Sequence, residues 1–414
     1  MSDSKISGDI LLTGIGLVSP FGLGVEPFAR ALENGESAIK LNTRFPIKDW
    51  CQARLAATVP DFSLEELTGN SKESGRAAPL LRLAWAAMHS ALEDAGLVLD
   101  DALRERTGIF IGSSRFLTDS LEFFLDKLFS GQLKDVLPIR IEGFHPHGPA
   151  VHLSYLYKIV GPTLTFAASC QSGIQALEAA MLYLARDHID VAVVLSSDTL
   201  SPFEFHAEAA AGILSSVIDP GFAPRPYDRK ADGTVLSEGA VALVLERSGD
   251  ARARGAKIRA QIAEFETLVG PAPFPPLPGK HLNMDQATKR LFCRIDLTEL
   301  DLIHADGRGI PAMDSAESRG IFKALGKAAD MVPVTSIQGS TGHTGGTSAL
   351  FRVVSTALIL SSSTIPPIRN LEHPAEGCDL DYVMGKARRA KVEQAVVLSH
   401  GWGGYHSALL MRKE

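Results

Sequence analysis

The chain has 414 residues, enough for two or three domains or two halves of one large fold. Hydrophobic residues make up 45% and charged residues 21%, which excludes whole-chain disorder, a collagen-like chain and a disulfide scaffold. Lys and Arg total 41 against 48 Asp and Glu, a formal net charge of −7 with no basic run, so no nucleic-acid partner is expected, because phosphate contacts need clustered cations.

The elements alternate between strand and helix patterns. Ile10 to Gly14 reads as a buried strand ending in a glycine turn, and Val25 to Leu32 as a helix closing near Gly35. Pro79 to Leu92 predicts a long helix, with Pro79 in its first turn and Gly96 at its end. Short strands follow at Gly108 to Gly112 and Thr163 to Ala168, then a helix from about Gly173 to Ala185. Asp190 to Ser197 and Ala240 to Leu245 are apolar strands. Arg254-Gly255-Ala256-Lys257 marks a joint, giving halves 1–255 and 256–414.

The second half opens with a strand at Ile258 to Phe265 and a Pro-rich surface connection, Pro271 to Pro278. A helix at Met284 to Phe292, a strand at Leu302 to His304 and a helix at Asp314 to Leu325 follow. Then come a strand at Val334 to Ile337, a helix at Ser348 to Leu360, and strands at Ala395 to Ser399 and Ala408 to Met411. Such alternation predicts layered α/β sheets covered by helices. No repeat is detectable at the residue level.

Cys51, Cys170, Cys293 and Cys378 form no C-x-x-C pair, so no metal is expected. Few cysteines and the polar start Met1-Ser2-Asp3-Ser4-Lys5, which is no secretory leader, point to the cytoplasm. No apolar run reaches 18 residues, so no membrane span is expected.

One cysteine stands out. Cys170 sits where a strand turns into a helix, within Ala167-Ala168-Ser169-Cys170-Gln171-Ser172-Gly173. The partial positive charge of a helix N-terminus favours a thiolate there. The plainer alternative is an inert buried cysteine. Two glycine-rich segments could supply partners: Ser340-Thr341-Gly342-His343-Thr344-Gly345-Gly346 and Ser399-His400-Gly401-Trp402-Gly403-Gly404-Tyr405. Their glycines allow close backbone approach and could aim N–H groups at an oxyanion; they could equally be tight structural turns.

In this order and spacing, the segments resemble the β-ketoacyl-acyl-carrier-protein synthase II family of thiolase-fold condensing enzymes. The resemblance spans Leu12-Thr13-Gly14-Ile15-Gly16 to Gly401-Trp402-Gly403-Gly404. Arg225-Pro226-Tyr227-Asp228, Glu238-Gly239-Ala240 and Gly377-Cys378-Asp379-Leu380-Asp381-Tyr382 are especially close to it. It implies a duplicated five-layer αβαβα thiolase-like fold and carrier-bound acyl substrates. It implies no cofactor beyond the phosphopantetheine arm of an acyl carrier protein. The expected partners are that carrier and a second subunit, in a homodimer or in a heterodimer with another ketosynthase. Cys170 matches the family's acyl-accepting cysteine, and His343 its second histidine, as base or carbonyl donor. Asp314 and Glu317 match supporting acidic positions, and the N–H groups of Cys170 and Trp402 the oxyanion hole.

The chain also departs from the pattern. Where the family reads His-Gly-Thr-x-Thr-Pro, Asp306-Gly307-Arg308-Gly309-Ile310-Pro311 stands. Gln338 replaces a lysine, Trp402 replaces the gating phenylalanine beside Gly403, and His400 replaces a nearby phenylalanine. Counting Asp306 and Gln338 alone, the pocket is about two charge units more negative than the family's. Malonyl binding and decarboxylation should suffer, since one lost oxyanion donor costs roughly 10²–10³ in rate.

Asp306 is expected to orient His343 in a Cys–His–Asp arrangement. Two other readings are open: a structural carboxylate salt-bridged with Arg308, or partial replacement of the lost imidazole by His304. Three functions follow. The chain is an acyltransferase that loads Cys170 without the usual condensation, a chain-length-factor-like partner subunit, or an elongating synthase with an altered site. Lys72, Arg76, Lys127 and Lys134 are candidate carrier contacts or solubilising charges. Phe116 to Phe144 departs most from the family.

Overall fold

The computed structural model describes residues 9–116, 118–135, 145–270 and 284–414. Met1 to Lys5, the Pro271 to Pro278 connection and parts of the Phe116 to Phe144 region lie outside the described residues.

The first half contributes β1 (Ile10–Ser19), β2 (Thr107–Gly112), β3 (Thr163–Phe166), β4 (Val191–Asp198) and β5 (Gly239–Arg247). The second contributes β6 (Ala260–Val269), β7 (Leu302–His304), β8 (Val334–Thr335), β9 (Gln394–His400) and β10 (Tyr405–Arg412). They follow one path in the order β8-β7-β9-β10-β6-β1-β5-β4-β2-β3. Outward from the central β1–β6 pair, each half places its first strand, then its fifth, fourth, second and third. The directions match as well. First–fifth and fifth–fourth pairs are antiparallel; fourth–second and second–third pairs are parallel. The fold is duplicated although the residues show no repeat. The expected joint, Arg254 to Lys257, lies between β5 and β6.

β1 runs past Gly14 to Ser19, correcting the expected glycine turn. The cause is the helix α1 (Pro79–Asp94) lying on the strand. A Cβ at Gly16 would stand 1.8 Å from the Ala87 carbonyl oxygen, and one at Gly14 2.4 Å from that of Ala91. These glycines admit a helix backbone rather than end a strand.

The strand residues alternate between two cores. Val191, Val193 and Leu195 of β4 face an outer core with Leu80, Trp85 and Met88 of α1. Ala192 and Val194 face a central core with Ile174 and Leu177 of α2 (Ser172–Ala185) and Leu350 and Val354 of α5 (Ser348–Ser362). In β9, Ala395 and Val397 join that central core. Val396 and Leu398 face a third core with Leu291 of α3 (Met284–Phe292) and Ile321 of α4 (Pro311–Leu325). The result is helix, sheet, helix pair, sheet, helix pair: the five expected layers. Each buried Val, Leu, Ile or Met side chain among these contributes roughly 1.5–3 kcal/mol, so burying both faces of the strands in each half fixes α2 and α5 between them.

Candidate active site

The central helix pair brings together two loops of different halves. β3 leads through the tight turn Ser169–Gln171 into α2, and Cys170 sits in that turn, 5% exposed. Ser169 holds φ at +53°, a strained value for a non-glycine residue that marks a sharp elbow. β8 leads through Gln338–Thr341 to His343, just before α5. Both loops therefore follow the third strand of their half. The His343 N–H donates to the Val235 carbonyl (2.7 Å), and its own carbonyl accepts from the Ser237 N–H (3.0 Å). Asp198, at the end of β4, ties the halves together. It accepts from the Ser113 and Ser114 hydroxyls and from the N–H and hydroxyl of Thr347, the last two at 2.9 Å.

His343 Nε2 stands 3.3 Å from Cys170 Sγ. Its other nitrogen, Nδ1, is 3.1 Å from Gln338 Oε1 and 3.2 Å from Ser348 Oγ. The Gln338 amide can point only one way. Its Nε2 lies 2.6 Å from Asp306 Oδ1, and an ionised carboxylate accepts only. Oε1 must then accept from His343 Nδ1–H, so the lone pair of Nε2 faces the thiol. Burial first, and Arg308 second, hold the imidazole well below its ordinary pKa. Burial also pushes the Cys170 thiol above its ordinary value, while Arg308 pulls it down. This corrects the expectation of a resting thiolate: burial outweighs the charges that favour ionisation. The resting pair is a thiol and a neutral base.

Asp314 and Glu317, both in α4 and both buried, shape the loop that carries Asp306. Asp314 accepts the N–H groups of Arg308, Gly309 and Tyr227 at 2.9–3.0 Å. Glu317 accepts those of Asp306 and Gly307, and the Tyr227 hydroxyl at 2.6 Å. Burial pushes Asp314 up to about 7 against those three N–H bonds. Glu317 goes the other way. Burial would raise it, but the neighbouring His400 and the Tyr227 hydroxyl hold it low. Gly307 has φ +47°, and a Cβ there would meet the Tyr227 ring at 2.6 Å. The loop's path thus depends on these supports rather than on the side chain at 306.

Asp306 does not touch His343 among the contacts of the site, a correction to the expected direct Cys–His–Asp arrangement. Its carboxylate is engaged by other hydrogen-bond donors and by the charge of Arg352. Oδ1 faces Gln338 Nε2 and Arg352 Nη1 (2.7 Å), and Oδ2 faces Arg308 Nε (3.1 Å), Arg308 Nη2 (2.9 Å) and the His400 N–H (3.1 Å). Gln338 connects it to His343. Asp306, Arg308 and Arg352 are at most 2% exposed. Against burial, the two guanidiniums hold Asp306 well below its ordinary value. Arg308 and Arg352 offset the Asp306 charge within the site, and Arg308, standing where the family has threonine, adds a positive charge that the expected count of two left out. Arg308 reaches further: its Nη1 lies 3.6 Å from Cys170 Sγ, and Nη2 donates to the His400 carbonyl.

Sequence reasoning weighed Arg308 only as a salt-bridge partner and missed Arg352. The signal for Arg352 was available as one cation inside the apolar helix Ser348 to Leu360, which demands a buried anion.

The remaining candidates surround this core. His400 is buried, with Nε2 3.2 Å from Glu317 Oε1 and Nδ1 2.9 Å from His406 Nδ1. Trp402 packs with Ile310 on Met284, Met313 and Ala316, and Gly403 follows it at φ +81°. His304 turns to the Thr356 hydroxyl of α5 at 2.9 Å, so it does not stand in for the lost imidazole. Lys72, Arg76 and Lys134 are exposed, and Lys127 is half-buried. Among the described residues, no helix is long and apolar enough to cross a membrane.

Residues 7–251 match the family model of the beta-ketoacyl synthase N-terminal domain, and residues 272–372 that of the C-terminal domain. The chain belongs to the β-ketoacyl synthase family. This β-ketoacyl synthase family member is similar to a 3-oxoacyl-[acyl-carrier-protein] synthase 2 of Coxiella burnetii, 31% identical over 98% of each chain. It is also similar to a solved beta-ketoacyl synthase from Burkholderia phymatum (TM-score 0.90, 27% identity, covering 98% of this chain and all of that one). At 24% identity and TM-score 0.87, it shares its fold with a type II polyketide ketosynthase solved with its acyl carrier protein, over 99% of this chain and 100% of that one. Family members of this kind are acyltransferase-type enzymes.

Proposed function

We propose that this chain takes an acyl group from an acyl carrier protein onto Cys170 as a thioester. The observation that supports it is the line Cys170–His343–Gln338–Asp306, which leaves an imidazole lone pair 3.3 Å from the nucleophile. His343 Nε2 takes the thiol proton, and the sulfur then attacks the thioester carbonyl. The bond to the phosphopantetheine sulfur breaks, and His343 returns the proton to that leaving thiolate. General-base help of this kind is worth roughly 10²–10⁴ in rate. N–H groups of Cys170 and Trp402 hold the oxyanion.

The usual two-histidine decarboxylation is not part of this reading. Position 306 holds a carboxylate that accepts from Gln338, Arg308 and the His400 N–H and is ion-paired with Arg352. It has no proton to donate to a malonyl carbonyl. The same observation favours a second reading, a partner subunit that shapes the tunnel of an intact ketosynthase.

Intact-protein mass after incubation with acyl-carrier thioesters of several lengths tests the first reading, with Cys170→Ala as control. A Cys170-dependent acyl adduct is expected. Adding malonyl-carrier protein should then release no elongated product. Absence of any adduct overturns the acyl-transfer reading in favour of the partner subunit, and co-purification with an intact ketosynthase then tests that.

A further inference from the structure

We propose that Arg308 is a catalytic residue, the cationic donor that stabilises the Cys170 thiolate formed when His343 takes the thiol proton. The proposal deepens the acyl-transfer reading and rests on it.

The geometry is specific. The Arg308 guanidinium is 2% exposed and presents three edges. Nε and Nη2 are engaged by Asp306 Oδ2, and Nη2 also by the His400 carbonyl. The edge left is Nη1, which stands 3.6 Å from Cys170 Sγ. The aim is set by the backbone, since the Arg308 N–H is pinned to Asp314 Oδ1 at 2.9 Å. Arginine keeps its charge in any protein environment. The family pattern has threonine at this position, which supplies no charge.

The substitutions at 306 and 308 are then one change. Loss of the first imidazole makes room for a carboxylate, and the carboxylate holds a guanidinium on the nucleophile. Gln338 and Arg352 complete the seat of that carboxylate.

The step balances. The S–H proton moves to His343 Nε2, and the electron pair left on Sγ faces Nη1. Sulfur then forms the bond to the acyl carbon, the carrier thiolate leaves, and the proton follows it from His343. Negative charge thus passes from Cys170 Sγ to the leaving sulfur, and a fixed cation beside Sγ lowers the barrier to its first appearance. The charged and titratable groups facing Cys170 are Arg308, His343, Glu208 of the helix Pro202–Ala210, and Asp306. Of these, Arg308 is the fixed cation.

The test is the pH profile of Cys170 alkylation by iodoacetamide, read at the Cys170 peptide by mass spectrometry. It compares wild type, Arg308→Lys, Arg308→Gln, Asp306→Asn and the double variant Asp306→Asn/Arg308→Gln. In Arg308→Gln the midpoint should rise by about one pH unit or more, so the rate at pH 7 should fall about 10-fold. Arg308→Lys should fall between Arg308→Gln and wild type. The double variant also loses the Asp306 carboxylate, which opposes ionisation of Cys170, so it is read against Asp306→Asn and decides the matter if Arg308→Gln alone does not fold. A wild-type midpoint in folded Arg308→Gln, or a double variant with the midpoint of Asp306→Asn, overturns the proposal. The two readings fail separately: no acyl adduct in wild type sinks acyl transfer, whereas an unchanged alkylation profile sinks the role of Arg308.

Discussion

Replacing Asp306 by asparagine should destabilise the protein by about 3–5 kcal/mol, the cost of breaking a buried ion pair by removing one partner. The magnitude follows from the contacts. Arg352 Nη1 and Arg308 Nη2 lie 2.7 and 2.9 Å from the two carboxylate oxygens, all within side chains at most 2% exposed. At such separations the charge centres are about 4 Å apart, and each pair is worth about 4 kcal/mol at an effective dielectric of 20. Asparagine keeps one oxygen to accept with, so part of the hydrogen bonding survives. The attraction to two guanidiniums does not, and both cations stay buried. Against a typical stability of about 5–15 kcal/mol, this is a large share. Equilibrium urea unfolding of Asp306→Asn, Arg308→Gln and the double variant measures it. The double variant should cost clearly less than the two singles added, because the second change removes a cation left unpaired by the first. An Asp306→Asn protein within about 0.5 kcal/mol of wild type, the ordinary range for a surface change, would refute the argument. Strict additivity would refute it too.

Three further expectations follow from the same geometry. Gln338→Leu removes the bond that fixes the His343 tautomer, so Cys170 acylation should slow about 5- to 10-fold, the worth of one neutral hydrogen bond; single-turnover mass measurements check this. Asp306 is held below its ordinary 3.8, so its contribution to stability is present above that pH and lost as pH falls through the lower folded value; the stability of Asp306→Asn should therefore decline less steeply below about pH 4. Gly16→Ala should cost about 3 kcal/mol in urea unfolding, near the top of the overpacking range, because its Cβ would press into the Ala87 carbonyl and push α1 off β1.

Most elements were legible because their patterns reflect local burial. α3 and β7 fall at the bounds expected from the sequence, and α5 runs two residues longer. β1 was read short because Gly14 and Gly16 look like turn residues when the helix that needs them is over 60 residues away in sequence. The site was legible in part. Cys170 and His343 stood out through flanking glycines and the family pattern. The direct Asp306–His343 contact did not follow from sequence, because whether a carboxylate is free to orient an imidazole depends on every other donor around it. Arg352 is 46 residues from Asp306, and no local pattern joins them. The charge count was incomplete: it included the substitutions at 306 and 338 but not Arg308, which stands where the family has threonine and pairs with Asp306.

The duplicated topology explains why so much chemistry can change here without changing the fold. Cys170 and His343 both follow the third strand of their half, and α2 and α5 meet in the central layer, so the nucleophile and its base are set by the sheets. The loop from Asp306 to Gly309 follows the second strand of its half. It is held by its own N–H groups on Asp314 and Glu317, both supplied by the next helix. Those bonds engage backbone, so they accept any side chain at 306 or 308 that fills the space. Position 306 can therefore exchange an imidazole for a carboxylate while the loop keeps its path. What cannot vary independently is charge: in a pocket this dry, a carboxylate needs cations beside it, and Arg308 and Arg352 supply them. The reaction open to the site is decided by that ion cluster, and the fold beneath it only decides where the cluster stands.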